Sequence, residues 1–218
     1  MKGNAKLTRS NIGIQTSNGS GVGEEVSIAM NDNAEISNMT RFAVYIRENS
    51  IFTMNDNTVI QNNGEGGVIA TGVFNMNGGK IINNTANSSN SGGGVTVRGT
   101  FNMNGGEISS NSTSGNGGGV YMQGTFVMNG GEISNNTATN GGGINTFGSS
   151  FTMNGGVITN NTATNNGGGV NIEGGTFIID SEQVRTGISN NSAQNGSQVY
   201  KGNPYSTFTV GGEPADSF

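Results

Sequence analysis

The chain has 218 residues, a formal net charge of −5, 40 glycines, two prolines and neither cysteine nor histidine. Those absences exclude disulfides, thiol chemistry, Cys-ligated metal and the commonest general base. No cluster of Lys or Arg supplies the basic footprint that nucleic acid or an anionic membrane surface requires.

In chain order, Met1 to Leu7 carries positive charge with no apolar stretch behind it, so it does not read as a signal peptide. Residues 1–25 read as an N-terminal cap or a partial first coil. No apolar run approaches a membrane-spanning length. Val26 to Ile36 is a long, weak copy of a motif that sharpens downstream. Phe52 to Val59 matches it, with Asp56-Asn57 in place of a Gly pair. Phe74 to Ile81, Phe101 to Ser109, Phe126 to Ser134 and Phe151 to Thr159 follow with Phe-x-Met-Asn-Gly-Gly-x-Ile. Phe177 to Asp180 and Phe208 to Gly212 are degenerate echoes. Phenylalanines 52, 74, 101, 126, 151 and 177 are separated by 22, 27, 25, 25 and 26 residues, and the variation falls in Ser/Asn/Gly segments such as Asn87 to Ser91. A third element, Gly-Gly-Gly-Val or Gly-Gly-Gly-Ile, precedes Val95, Val120, Ile144 and Val170 in the same way.

Each repeat therefore holds three short apolar stretches, exemplified by Val120-Tyr121-Met122, Phe126-Val127-Met128 and the segment around Ile133. The first two alternate with period two, and Gly at this density opposes helix. Asn-Gly pairs normally signal hairpins, but a hairpin of three-to-five-residue strands is marginal in water. Parallel stacking on the next repeat puts like residues about 4.8 Å apart. Phe then lies on Phe, Met on Met and Ile on Ile, with the Asn-Gly pairs as corners. The expected fold is all-β, a single parallel β-helix (a three-sided β-solenoid) of about eight coils and about 40 Å. Its repeats span 26–194, and 195–218 forms a degenerate last coil or C-terminal cap.

The tetrapeptides Phe52/Asn55, Phe74/Asn77, Phe101/Asn104, Phe126/Asn129 and Phe151/Asn154 define the fold. With the Gly-Gly-x-Ile/Val tetrapeptides, they resemble the passenger repeats of bacterial polymorphic outer-membrane proteins over roughly residues 26–180. Similar repeats occur in adhesin-like surface proteins of bacteria and methanogens. Here the second motif carries Gly, Glu, Lys or Val where that family favours Ala. The resemblance implies a right-handed coil and adhesion to a host cell, matrix or neighbouring microbe.

Candidate sites are few. Glu107 and Glu132 occupy equivalent positions in adjacent coils, about 5 Å apart, a spacing close to that of retaining glycosidases. They are read instead as solvated charges beside Lys80. Asp32 and Asp56 could hold a cation together, or serve as ordinary Asx corners. Asn83, Asn111, Asn135 and Asn160 begin Asn-x-Ser/Thr sequons, weak signals in so Asn-rich a chain. Met54, Met76, Met103, Met128 and Met153 read as core. Thr137-Ala138-Thr139 and Thr162-Ala163-Thr164 form a hydroxyl ladder in a variable loop, resembling ice-binding arrays or offering hydrogen bonds to glycans. No catalytic, cofactor or metal site is assigned.

The functional expectation is a non-catalytic scaffold, a secreted or cell-surface adhesin or stalk segment. Its partner would be a host or microbial surface protein or glycan, read by variable residues such as Asn102, Val127, Thr152 and Tyr121. A carbohydrate-binding or carbohydrate-active β-helix and an end-to-end self-assembling filament unit are the alternatives. Nucleic acid binding and direct membrane insertion are not expected.

Overall fold

The computed structural model describes residues 1–16 and 25–217; part of the expected N-terminal cap, 17–24, lies outside the described residues. Among those residues the chain winds through three long sheets, visiting them in the same order in every coil. An isoleucine sheet of eight strands runs from Lys6–Thr8 to Ile188–Ser189, and a valine sheet of eight from Ile14–Gln15 to Val199–Lys201. A phenylalanine sheet of nine begins at Val26–Met30. All pairings are parallel except the last, where Glu213–Pro214 runs antiparallel to Thr207–Val210 and occupies the C-terminal edge of the phenylalanine sheet. The expected solenoid is thus present, and the Asn-Gly pairs are corners rather than hairpin turns.

Register is like on like. Phe101 pairs with Phe74 and Phe126, Met103 with Met76 and Met128, and Ile108 with Ile81 and Ile133. Seven Phe rings from Phe52 to Phe208 stack with centroids 4.5 to 5.6 Å apart. Met30, Met54, Met76, Met103, Met128 and Met153, on the same sheet, are fully buried. Burial of each such side chain contributes roughly 1.5–3 kcal/mol, so the core is an additive column rather than a single nucleus.

Two corner devices bound the isoleucine sheet. Before it, Asn31, Asn55, Asn77, Asn104, Asn129 and Asn154 hydrogen-bond amide to amide at 2.8–2.9 Å, the expected corner ladder. There the second glycine of each pair, as in Gly106 at φ 86°, makes the left-handed turn. After the sheet lies a device the sequence reading missed. Asn83, Asn135, Asn160 and Asn190 have φ of 56–57°, where Asn is the best-tolerated non-glycine residue. That turn drives the following residue inward. Asn84, Asn111, Asn136, Asn161 and Asn191 form a second ladder beside the core, largely inaccessible to solvent. Asn111 is therefore a buried structural amide and not an accessible glycan acceptor, whereas Asn83, Asn135 and Asn160 stand exposed at the corner.

The hydroxyl segments are not loops. Thr85–Ala86, Ser112–Thr113, Thr137–Asn140 and Thr162–Asn166 pair in parallel as a fourth, four-stranded sheet. The chain then doubles back through the glycine triplet, which explains that triplet. A Cβ on Gly118 would sit 2.4 Å from the Gly142 carbonyl oxygen and 2.7 Å from that of Thr137. Only glycine lets three backbones converge so closely. One further departure is a single helical turn, Glu182–Arg185, capped by Ser181 and replacing a corner after Ile179.

Candidate functional site

The outer row of the isoleucine sheet contains the carboxylates singled out from sequence. In register it runs Lys6, Glu35, Val59, Lys80, Glu107, Glu132 and Val157. Glu107 and Glu132 are indeed stacked, but Lys80 Nζ lies 2.7 Å from Glu107 Oε2. The Lys80 ammonium, with the Ser109 hydroxyl, holds the Glu107 carboxyl below its ordinary range. An ionised, salt-bridged carboxylate is a poor general acid, so Glu107 is unsuited to that role. Asp32 and Asp56 are likewise corner residues. Gly3 N donates to Asp32 Oδ2 at 2.7 Å and Asp32 N to Asp56 Oδ2 at 3.0 Å. Among the described residues, no three Asp or Glu converge as metal ligands.

The same row sets a pH dependence. Lys6, then Ser37, with a smaller contribution from Gln61, lower the Glu35 pKa from 4.5 to about 2. A depressed folded-state value adds stability above the unfolded value and loses it as pH falls. Glu35→Gln should therefore unfold more readily than the parent at pH 7, by at most about 1 kcal/mol because solvent screens the half-exposed Lys6. The gap should narrow as pH is lowered from 4.5 towards 2, as read by thermal unfolding monitored by circular dichroism.

The valine sheet carries the more consequential surface. Its outward-facing central row is Tyr45, Ile69, Thr96, Tyr121, Asn145, Asn171 and Tyr200. Where a coil contributes to the fourth sheet, the chain folds back over this row. Thr96, Tyr121, Asn145 and Asn171 are then no more than 2% exposed. Gly92 N donates to Thr96 Oγ1 from this covering chain. Tyr121 is thus not a recognition residue. Burial pushes its phenol above the ordinary value, and the charge of Glu173 adds to the shift. Tyr45, Ile69 and Tyr200, in coils without the fourth strand, are only half-buried. Asn102, Val127 and Thr152 are half-exposed on the outer face of the phenylalanine sheet.

A cleft opens at each end of the covering layer. At the N-terminal end, a space of about 350 Å³ is lined by Arg41, Phe42, Glu65, Ile69, Asn87 and Ser91. Its polar groups engage one another: Arg41 Nε lies 2.8 Å from Glu65 Oε2, and the guanidinium sits 5.1 Å from the Phe42 ring centre.

The C-terminal cleft, about 370 Å³, differs in kind. Phe147, Asn166, Asn171, Glu173, Tyr200 and Asn203 line it. Phe147 is 52% exposed, a large apolar side chain left in solvent. Asn171 Nδ2 donates to Asn145 Oδ1 at 2.7 Å and to Glu173 Oε1 at 2.9 Å. An ionised carboxylate only accepts, which fixes the orientation of this amide. Asn171 Oδ1 and Asn145 Nδ2, both buried, are left without a regular hydrogen bond, although Asn145 is near enough to Glu173 to favour its ionised form. Burial is the dominant influence and raises the Glu173 carboxyl above its ordinary value.

No protein-family model, no curated protein and no solved structure matches this chain.

Sequence reasoning missed Phe147 and Glu173 because neither belongs to the repeat. Their signal was departure from it. Each directly follows a valine-sheet strand, at the position held by Arg98 and Gln123 in earlier coils.

Proposed function

We propose that this chain is a non-catalytic segment of a bacterial surface adhesin or stalk, a β-solenoid scaffold for attachment to host, matrix or other cells. One observation carries the reading. The repeated residues face the core or form corners, while surface rows in fixed register change chemistry from coil to coil. Thr53, Asn75, Asn102, Val127, Thr152 and Ile178 form such a row along the phenylalanine sheet. A rigid rod with a variable face suits recognition spread along its length, because little ordering entropy is lost on binding. The resemblance of the Phe-x-x-Asn and Gly-Gly-x-Ile/Val motifs to polymorphic outer-membrane protein passengers supports the same reading.

The test is to probe the full chain against an array of glycans and extracellular-matrix proteins. Retention on a subset of spots, at micromolar to millimolar concentrations, is expected. Silence on every spot would leave only a spacer role.

A further inference from the structure

We propose that the cleft formed by Phe147, Asn171, Glu173, Tyr200 and Asn203 is a binding site for a neutral saccharide residue. This deepens the adhesive reading and rests on it, naming a ligand class and a place.

The complementarity is chemical. A pyranose presents apolar C–H faces and hydroxyls that both donate and accept. Phe147 offers an exposed ring to the cleft lining and Tyr200 a half-buried one. The Tyr200 ring packs close to Gly202, where an added Cβ would come 3.1 Å from Tyr200 Cε1. Glu173, in the same lining, accepts from Asn171 Nδ2 at 2.9 Å, which holds the carboxyl in place. A half-buried carboxyl in a cleft lining keeps acceptor capacity beyond the bonds it takes from neighbouring amides, which suits a ligand hydroxyl. Asn203 Nδ2 donates to the Glu173 carbonyl oxygen at 3.3 Å and its Oδ1 accepts from Tyr205 N at 2.9 Å, which fixes this wall. The cleft's volume lies within the usual range for small-ligand sites, about 300–1,000 Å³.

Other ligands fit less well. A divalent cation needs oxygens converging on one point, yet the nitrogen of Asn171, not its oxygen, faces Glu173. An acidic saccharide would meet the Glu173 carboxylate with no basic residue lining the cleft, on a chain of net charge −5.

The experiment uses the full chain and saturation-transfer difference NMR with neutral oligosaccharides ending in glucose, galactose, mannose or N-acetylglucosamine. Sulfated and uronic-acid oligosaccharides form a second arm, and a chelator is added in a third. At least one neutral sugar should bind, unaffected by chelation. Phe147→Ala and Glu173→Gln should each weaken it roughly tenfold or more, the effect of losing one good contact. Glu132→Gln, outside the cleft, should leave binding unchanged, and circular dichroism should show all three variants folded. Binding that survives both cleft substitutions, or that needs a cation or an acidic sugar, would overturn the proposal. If no saccharide binds while a matrix protein does, the cleft proposal fails and the adhesive reading stands. Silence in both assays would remove both.

Discussion

Asn136→Ala should destabilise the solenoid by roughly 3–5 kcal/mol, measured by urea unfolding, because one substitution orphans several buried groups. Asn136 Oδ1 accepts from the backbone N of Asn111 at 2.9 Å and from its Nδ2 at 3.0 Å. Asn136 Nδ2 donates to Ile108 O at 2.9 Å and to Asn161 Oδ1 at 3.0 Å. Every donor and acceptor of the amide is used, at a site with no solvent exposure. Alanine leaves two donors without an acceptor and an Ile108 carbonyl without its amide. Asn129→Ala tests the reasoning at the exposed corner ladder. Its amide bonds are similar in length, but water can replace them, so the cost should stay below about 1 kcal/mol. Equal losses at the two positions would show that burial is not what makes the inner ladder matter.

Phe126→Ala should cost about 3–5 kcal/mol by opening a cavity in the middle of the ring stack. Its neighbours lie 4.5 and 4.9 Å away, centroid to centroid, and the ring is fully buried. In a stacked repeat each coil contacts only its neighbours, so a break in the middle uncouples the two halves. The urea transition should therefore broaden, with a smaller apparent m-value as well as a lower midpoint. Phe126→Leu, which retains most of the volume, should cost no more than about 1.5 kcal/mol. An alanine variant whose transition only shifts, without broadening, would mean that the rod unfolds as one cooperative unit.

These positions also mark how far the sequence could be read. The Phe, Met and Ile columns were legible because each coil must present the same residue to the one above it. The corner amides Asn104 and Asn129 were legible for the same reason. The Asn135-Asn136 pair was not, because its residues are identical in kind and opposite in role. Asn135 turns the chain at φ 56°, and Asn136 is buried by that turn. Read locally, the pair suggested only a weak sequon. Tyr121 misled in the other direction: strand alternation placed it outward, and a second layer of chain then covered it.

By itself, then, the sequence determined the repeat, the parallel stacking and the residues that fill the core. Those properties follow from period and from the need of short strands to pair with their own copies. Only the tertiary structure decided which outward residues meet solvent, because that depends on where the fourth sheet begins and stops. It covers Thr96, Tyr121, Asn145 and Asn171, and leaves Phe147, Glu173 and Tyr200 at an open margin. A cleft made of residues that break the repeat has no period to announce it.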